Sequence, residues 1–372
     1  MPTSDFTYRG LTVRVDDPEA ADLAWLEEFL APAFATRPRS APDCTVRVVR
    51  DAARYARLQA PGAGVASAPL AGLVLDSGPV AMPAWESGDG ELTVCNAEVR
   101  IVYVLGRDRR QVQVISAANA GTLRTALMKV VREFAMSAAW TRDSLVLHAA
   151  AVAVGERAVL ISGPKNAGKT SLLLHALRAS GARLLSNDRV VVDLATMPAA
   201  AHGMPTIVSL RPGSVEQIAA AAGSRAHLRY NSRHTIAECE AAAAPTGTVS
   251  RKLGFSPAQL GRALGVELIG CAVPAAIVFP QVTQQPGGLQ LRRLSLDDAV
   301  QRLPDSLFGA RALLHTSDVF NLSGAPPPLT LADLSDIWRR LVALTPVFEC
   351  LLGLDAYAGD PTSQFTAVVL DT

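Results

Sequence analysis

The chain has 372 residues, a length typical of roughly two or three domains, and 49% of its residues are apolar while 19% are charged. This composition excludes a disordered chain and a small disulfide scaffold. The formal net charge of +1 gives no support to general binding of nucleic acid or of an anionic membrane. The five cysteines show no C-x-x-C spacing and predict reduced thiols.

Neither a membrane span nor a signal peptide is predicted. The apolar stretch at 145–161 is interrupted by His148 and by the polar turn Gly155-Glu156-Arg157, well short of the ~20 apolar residues that a span needs. The first ten residues lack a basic region followed by an apolar run. We therefore expect a cytoplasmic protein.

Residues 1–117 predict a small α+β domain. A helix is expected at Glu19–Leu30, and residues 60–90, rich in Gly, Ala, Pro and Ser, predict loops around one short strand at Gly72–Leu75. Runs rich in alternating Val, Arg, Thr and Tyr predict strands at Phe6–Val15, Thr45–Val49, Glu91–Leu105 and Gln111–Ser116.

Residues 118–372 predict an α/β domain that begins with a linking helix at Ala118–Trp140. A further stretch, 223–247, is loop-like and is expected to be mobile. Strands are predicted at Leu145–Val154, Ala158–Ser162, Arg183–Leu185, Val190–Leu194, Thr206–Leu210, Ala275–Phe279, Leu289–Leu294 and Val347–Leu352, with a hairpin turn at Gly155-Glu156. Helices are predicted at Lys169–Ser180, Val215–Ala222, Ser256–Leu264, Leu296–Leu303 and Leu331–Leu344.

Residues 163–170, Gly-Pro-Lys-Asn-Ala-Gly-Lys-Thr, match the phosphate-binding pattern G-x-x-x-x-G-K-[ST] between an apolar strand and an apolar helix. The glycines allow a tight loop whose backbone N–H groups point at a phosphate chain, and the following helix adds the positive end of its dipole. Lys169 is expected to reach the outer phosphates and the Thr170 hydroxyl to bind Mg²⁺. The residues expected to contact ATP are Gly163, Lys165, Asn166, Ala167, Gly168, Lys169, Thr170 and Ser171.

Two further segments flank this loop. Leu-His-Ala-Ala-Ala-Val occupies 147–152, and Arg-Leu-Leu-Ser-Asn-Asp-Arg-Val occupies 183–190. The combination resembles the HPr kinase/phosphorylase family, and more closely the HPr-kinase-like proteins often encoded beside genes for modified ribosomal peptides. The resemblance covers 145–194. It implies a P-loop domain whose sheet is related to that of phosphoenolpyruvate carboxykinase, and phosphoryl transfer to a serine hydroxyl.

The resemblance also implies roles for individual residues. Lys169 and Thr170 match the phosphate lysine and the magnesium-binding hydroxyl, and His148 matches a histidine beside the nucleotide. Asp188 matches the second of two adjacent acidic residues, and it is expected to accept a proton or to hold Mg²⁺. Asn187 stands where the family has the first, which acts as the base on the attacking hydroxyl. Because an amide cannot accept a proton, this departure weighs against the kinase reaction.

The residues alone leave alternatives open. His148 fits a hydrogen-bonded core histidine as well as a catalytic one, and Asp188 fits a surface ion pair. Asp193, which follows an apolar run, rivals Asp188 as a magnesium ligand. Arg211 is either a phosphate clamp or a solvated side chain, and Lys165 either contacts the γ-phosphate or faces solvent.

Three functions are compatible with these features. The first is an ATP-dependent kinase that acts on a hydroxyl of a peptide or small protein. The second is an inactive kinase homologue that presents a peptide to partner biosynthetic enzymes, with the domain at 1–117 as the expected peptide site. The third is an ATP-hydrolysing switch, for which the sequence shows no second ATPase motif. Neither a nucleic acid nor a membrane is expected as a partner, and the oligomeric state stays open.

Overall fold

The computed structural model describes residues 2–39, 41–60, 68–75, 78–164, 166–210, 253–307 and 329–364. Four features expected from the sequence lie outside these ranges: the helix at 215–222, the mobile stretch at 223–247, and the candidate site residues Lys165 and Arg211.

The chain forms two compact units. The first comprises the residues up to Leu30 and Phe34–Trp140, and the second comprises Ala31–Ala33 and the described residues from Thr141 onward. The division falls after Trp140, later than the expected boundary after Ala117. The helix expected to link two domains therefore belongs to the first unit.

The first unit is built on a nine-stranded mixed sheet. Its strands are β1 (Thr3–Tyr8), β2 (Leu11–Asp16), β3 (Ala35–Thr36), β4 (Cys44–Arg50), β5 (Ala68–Leu75), β6 (Gly78–Glu86), β7 (Leu92–Asn96), β8 (Ile101–Leu105) and β9 (Gln111–Ser116). The strand order is β3-β1-β2-β4-β9-β8-β7-β6-β5, and β4 is parallel to both β2 and β9. The helices are α1 (Ala20–Leu30), α2 (Ala52–Leu58) and α3 (Ala120–Ala139).

Several expectations for this unit were wrong in detail. The run at 6–15 is a hairpin because Arg9 and Gly10 turn the chain with φ values of 47° and 89°. A 3₁₀ turn at Ala97–Val99 interrupts the run at 91–105. The region at 60–90 contains the paired strands β5 and β6, where Gly and Pro residues predicted mostly loops. Helix α2 was not predicted, and its N-cap is Asp51, whose side chain accepts a hydrogen bond from the N–H of Arg54.

The second unit is also a mixed α/β structure. Its strands are β10 (Ser144–Leu147), β11 (Ala149–Val154), β12 (Arg157–Ser162), β13 (Ala182–Ser186), β14 (Arg189–Asp193), β15 (Ala200–Met204), β16 (Val208–Leu210), β17 (Leu253–Phe255), β18 (Cys271–Val282), β19 (Leu289–Arg293) and β20 (Val347–Leu352). Its helices are α4 (Lys169–Ala176), α5 (Pro257–Leu264), α6 (Leu296–Val300), α7 (Leu303–Ser306) and α8 (Leu331–Leu344).

The large sheet of this unit runs β10-β14-β15-β18-β12-β11-β13, and β18 also pairs with β20, which pairs with β19. Strands β12, β18 and β20 are parallel, so their carboxyl ends lie at one edge. Sheets of this kind place ligands at the carboxyl ends of their parallel strands. That edge carries the Gly163–Thr170 loop, because this loop follows β12 directly.

The predicted strand at 145–154 is broken at His148 into β10 and β11. The first half pairs with β14, whereas the second half pairs with β12 and β13. The chain makes a similar transition between β13 and β14, where Asn187 and Asp188 form the connection. At these two breaks the chain therefore carries polar, partly exposed residues, His148, Asn187 and Asp188, between strands that are largely buried.

Two predicted helices are shorter than expected. Helix α4 ends at Ala176, and the chain then turns before Gly181, which has a φ of 71°. The expected helix at 296–303 consists of the two short helices α6 and α7, because Pro304 in the first turn of α7 has no N–H to continue the earlier helix. Within the described ranges, no helix is long and apolar enough to cross a membrane.

Gly203 holds β15 close to β13. A Cβ at this position would overlap the carbonyl oxygen of Leu185 on β13. We expect Gly203→Ala to lower the free energy of unfolding by about 1–3 kcal/mol. The added Cβ would overlap a backbone oxygen, which, unlike the end of a flexible side chain, cannot move away. Chemical denaturation measures this loss. Gly287→Ala is the matched control, since its nearest contact would be an ordinary 3.5 Å to Gln290 Nε2; equal losses in both variants would contradict the close-approach explanation.

Candidate functional site

The Gly163–Thr170 loop has the backbone conformation that its glycines allow. Gly163, Asn166 and Gly168 have φ values of 138°, 69° and 102°. Gly168 is also the N-cap of α4, and a Cβ there would lie 3.0 Å from Val282 Cγ2. A side chain at this position is therefore strained in conformation and crowded by β18, which explains why the loop needs glycine at its sixth position.

Lys169, the first residue of α4, points back into the loop. Its Nζ donates hydrogen bonds to the carbonyl oxygens of Gly163 at 2.6 Å and Pro164 at 2.9 Å. Burial lowers the pKa of the Lys169 amino group, and the Asp188 carboxylate opposes this shift. The lysine side chain and Asp188 therefore lie close enough to interact electrostatically.

His148 and Asp188 form the second part of the site. His148 Nε2 lies 3.2 Å from Asp188 Oδ1, and Arg189 Nε lies 3.4 Å from Asp188 Oδ2. The His148 backbone is held on both sides, because its N–H donates to Ser306 O at 2.7 Å and its carbonyl oxygen accepts from Ser162 Oγ at 3.3 Å. These contacts fix a half-exposed imidazole–carboxylate pair beside the Gly163–Thr170 loop.

The side chain of Asn187 is engaged in a structural contact. Its Nδ2 donates to Thr206 Oγ1 at 2.8 Å and more weakly to Ile207 O at 3.4 Å. Its Oδ1 is buried and has no hydrogen-bond partner among the described residues. The amide therefore ties the β13–β14 connection to the segment before β16.

Asp193, the rival of Asp188, lies at the opposite end of β14. Asp188 directly precedes β14 and Asp193 ends it, so the two are five positions apart; at a rise of about 3.3 Å per residue this is roughly 16 Å. Asp193 Oδ1 accepts a hydrogen bond from the N–H of Ala195 in the turn that follows. Of the two carboxylates, only Asp188 lies beside Lys169.

The remaining loop residues lie at the surface or just below it. Asn166, Thr170 and Ser171 are exposed, and Ala167 is half-buried. Ser171 shares a hydrogen bond with Tyr357, whose pKa is raised by burial. Thr170, at the start of α4, is thus accessible from solvent.

The donor set suits Mg²⁺ bound together with a nucleotide. In the described ranges, no three or more His, Cys, Asp or Glu side chains are grouped to hold a metal ion on their own. Mg²⁺ needs no such cage, because it keeps several waters and takes one or two protein oxygens besides the phosphates. The exposed hydroxyl of Thr170 and the carboxylate of Asp188 are oxygen ligands of that kind.

A comparison with protein-family models and with curated proteins found no match. A function for this chain must therefore be argued from its own residues.

The residues that hold the site in place from distant parts of the sequence were not predicted. Thr206 anchors Asn187, and Ser306 fixes the His148 backbone. Phe279 lies against the loop, with its Cδ1 3.9 Å from the place of a Cβ on Gly163. These contacts join segments far apart in the chain, and the local pattern around each residue carries no signal for them.

Proposed function

We propose that this protein binds ATP with Mg²⁺ and transfers the γ-phosphoryl group to a hydroxyl of a peptide or small protein in the cytoplasm. The observation that carries the proposal is the 3.2 Å contact between His148 and Asp188 beside Lys169 and the Gly163–Thr170 loop. A base next to a phosphate cradle is what phosphoryl transfer to a hydroxyl requires.

In the proposed reaction the acceptor hydroxyl oxygen forms a bond to the γ-phosphorus. The bond between that phosphorus and the β–γ bridging oxygen breaks, and ADP leaves with the electron pair. The hydroxyl proton passes to the Asp188 carboxylate, which His148 holds in position through Oδ1. Lys169 and the backbone N–H groups at the start of α4 balance the negative charge of the phosphates. Mg²⁺, held by Thr170 and the phosphates, would neutralise further charge.

ATP turnover by three forms of the protein tests this assignment. We expect Asp188→Asn to lower the rate of phosphate release by roughly 10²–10⁴-fold, the usual contribution of a positioned base. Asp193→Asn is the matched control, because it removes the same charge at the far end of β14 and should leave the rate unchanged. Equal rates in the wild type and Asp188→Asn would show that Asp188 is not the base.

A second candidate is an inactive homologue that binds ATP and presents a peptide to partner enzymes. Asn187 favours it, since an amide stands where the resembled family has its base and is used here to hold Thr206. This candidate predicts ATP binding without turnover in every variant, which separates it from the kinase.

A further inference from the structure

A cavity of about 290 Å³ is lined by residues of β19, α6 and α7 and of the segments between them. The lining mixes both signs of charge with an amide and one apolar side chain: Arg292, Leu294, Asp298, Gln301, Arg302 and Asp305. The volume is close to the lower end of the range for ligand pockets, roughly 300 Å³, and gives room for one long side chain.

Helix α7 joins this cavity to the His148–Asp188 pair. Asp305 lines the cavity, and the carbonyl oxygen of the next residue, Ser306, accepts the hydrogen bond from the His148 N–H at 2.7 Å. Leu307 then forms an antiparallel β-bridge with Leu147. Since adjacent Cα atoms are about 3.8 Å apart, the Asp305 backbone lies within roughly 10 Å of the His148 N–H.

The cavity also adjoins the Gly163–Thr170 loop, through Phe279. The Cζ of Arg302 lies 5.6 Å from the centre of the Phe279 ring. The Cδ1 atom of the same ring lies 3.9 Å from the place of a Cβ on Gly163. The cavity therefore borders both the phosphate loop and the candidate base, the two groups that an acceptor hydroxyl must reach in the proposed reaction.

A glutamate outside the lining pairs with both arginines of the cavity. Glu349 Oε2 accepts from Arg292 at 2.7 Å, and Glu349 Oε1 accepts from Arg302 at 2.7 Å. The hydrogen bond from Arg292, above all, keeps the pKa of the Glu349 carboxyl below its ordinary value. Both guanidinium groups therefore already have an anionic partner.

The two aspartates of the lining can accept further hydrogen bonds. Asp298 Oδ2 accepts from Ser295 Oγ at 2.8 Å, whereas Asp298 Oδ1 accepts none from the described residues. Asp305 Oδ2 lies 3.6 Å from Arg302 Nη1, which is longer than a hydrogen bond. With Glu349 included, three carboxylates meet two guanidinium groups, so the cavity favours a cation.

We propose that the cavity binds a lysine or arginine side chain of the acceptor peptide, about three residues from the acceptor hydroxyl. The inference rests on the proposed function and names its substrate class, a hydroxyl-bearing peptide with a nearby basic residue. Ammonium and guanidinium groups donate several hydrogen bonds to carboxylates such as those of Asp298 and Asp305. An extended chain spans about 3.3–3.6 Å per residue, so roughly 10 Å between the cavity and the His148–Asp188 pair corresponds to three residues.

Three peptides test this proposal, each with a central serine and with lysine, alanine or glutamate at the third residue on both sides. Fluorescence anisotropy with Mg²⁺ and a non-hydrolysable ATP analogue measures their Kd, and labelled ATP measures transfer to the serine in a separate assay. With the full wild-type chain we expect the lysine peptide to bind about fivefold more tightly than the alanine peptide, the effect of two partly exposed ion pairs. The glutamate peptide should bind most weakly.

Variants of the lining connect this preference to the cavity. The double variant Asp298→Asn, Asp305→Asn removes both charges and should abolish the preference for lysine over alanine. Asp305→Lys should reverse it, so that the glutamate peptide binds most tightly. Asp336→Asn is the control, because Asp336 forms an exposed ion pair with Arg339 outside the lining and its loss should leave the preference unchanged.

Equal Kd values for the three peptides in the wild type would overturn the proposal, as would a lysine preference that survives in the double variant. A wild type that binds none of the peptides would overturn it too. A lysine preference in binding without any transfer to serine would instead overturn the proposed kinase reaction, and the cavity would remain a site for a basic residue.

Discussion

Lys169→Ala should weaken ATP–Mg binding by roughly 10- to 100-fold, the effect of losing a charge-assisted hydrogen bond to phosphate. The variant should keep nearly the same unfolding midpoint without ligand. It loses two hydrogen bonds to loop carbonyls, but it no longer buries an ammonium group whose pKa is lowered by that burial. Calorimetry for affinity and thermal unfolding for stability measure the two effects separately.

The same lysine gives ATP affinity a pH dependence. The ammonium form attracts phosphate, and because burial lowers its pKa from 10.5, this form is lost at a lower pH than in an exposed lysine. Affinity in the wild type should therefore begin to fall as the pH rises through this lowered pKa, whereas Lys169→Ala should show no such decline. Lys129→Ala, which removes a lysine from α3 in the first unit, is the control. ATP affinity that is equal in the wild type and Lys169→Ala would remove the basis for a nucleotide site here.

Asn187→Asp should lower stability by roughly 1–3 kcal/mol and should not raise ATP turnover. The substitution puts a carboxylate oxygen where Nδ2 now donates to Thr206 and Ile207, so one oxygen faces the Ile207 carbonyl. The other oxygen lies at the buried position of Oδ1, which has no hydrogen-bond partner among the described residues. Because the protonated carboxyl regains a donor, the loss should shrink as the pH falls through the pKa of this carboxyl.

Asn187→Ala separates the two causes of this loss, because it removes the hydrogen bonds without adding a charge. We expect it to be less destabilising than Asn187→Asp at neutral pH in a denaturation experiment. A rise in turnover of 10²-fold or more in Asn187→Asp would instead show that this position, and not Asp188, is where the base acts.

The segments proposed to carry the chemistry could be predicted, because each is formed by residues that are close together in the sequence. The loop from Gly163 and the helix after it follow from glycine spacing and apolar periodicity, and the hairpin between β11 and β12 follows from Gly155-Glu156. The break at His148 was not predicted, since the residues on both sides of it are uniformly apolar. It arises because the two halves of that run pair with different strands, which only the folded sheet determines.

The pairing of Arg302 with Glu349 could likewise not be predicted from the sequence. Arg302 and Glu349 are 47 positions apart, and their pairing depends on the parallel register of β18 and β20. In the sequence, Arg302 reads as one of many solvated arginines. For Asn187, the sequence showed that an amide stands where the resembled family has an acidic residue. The sequence did not show that this amide contacts Thr206.

The most direct test of phosphoryl transfer is incubation of the full chain with ATP labelled on the γ-phosphate, Mg²⁺ and a panel of peptides that carry serine or threonine. Transfer and peptide binding are both measured, for the wild type and for Asp188→Asn. With the wild type we expect label in an acid-stable phosphoester on a peptide hydroxyl, and we expect its loss in Asp188→Asn while ATP remains bound. A peptide that binds together with ATP and never acquires label would contradict phosphoryl transfer and would establish the peptide-presenting scaffold instead.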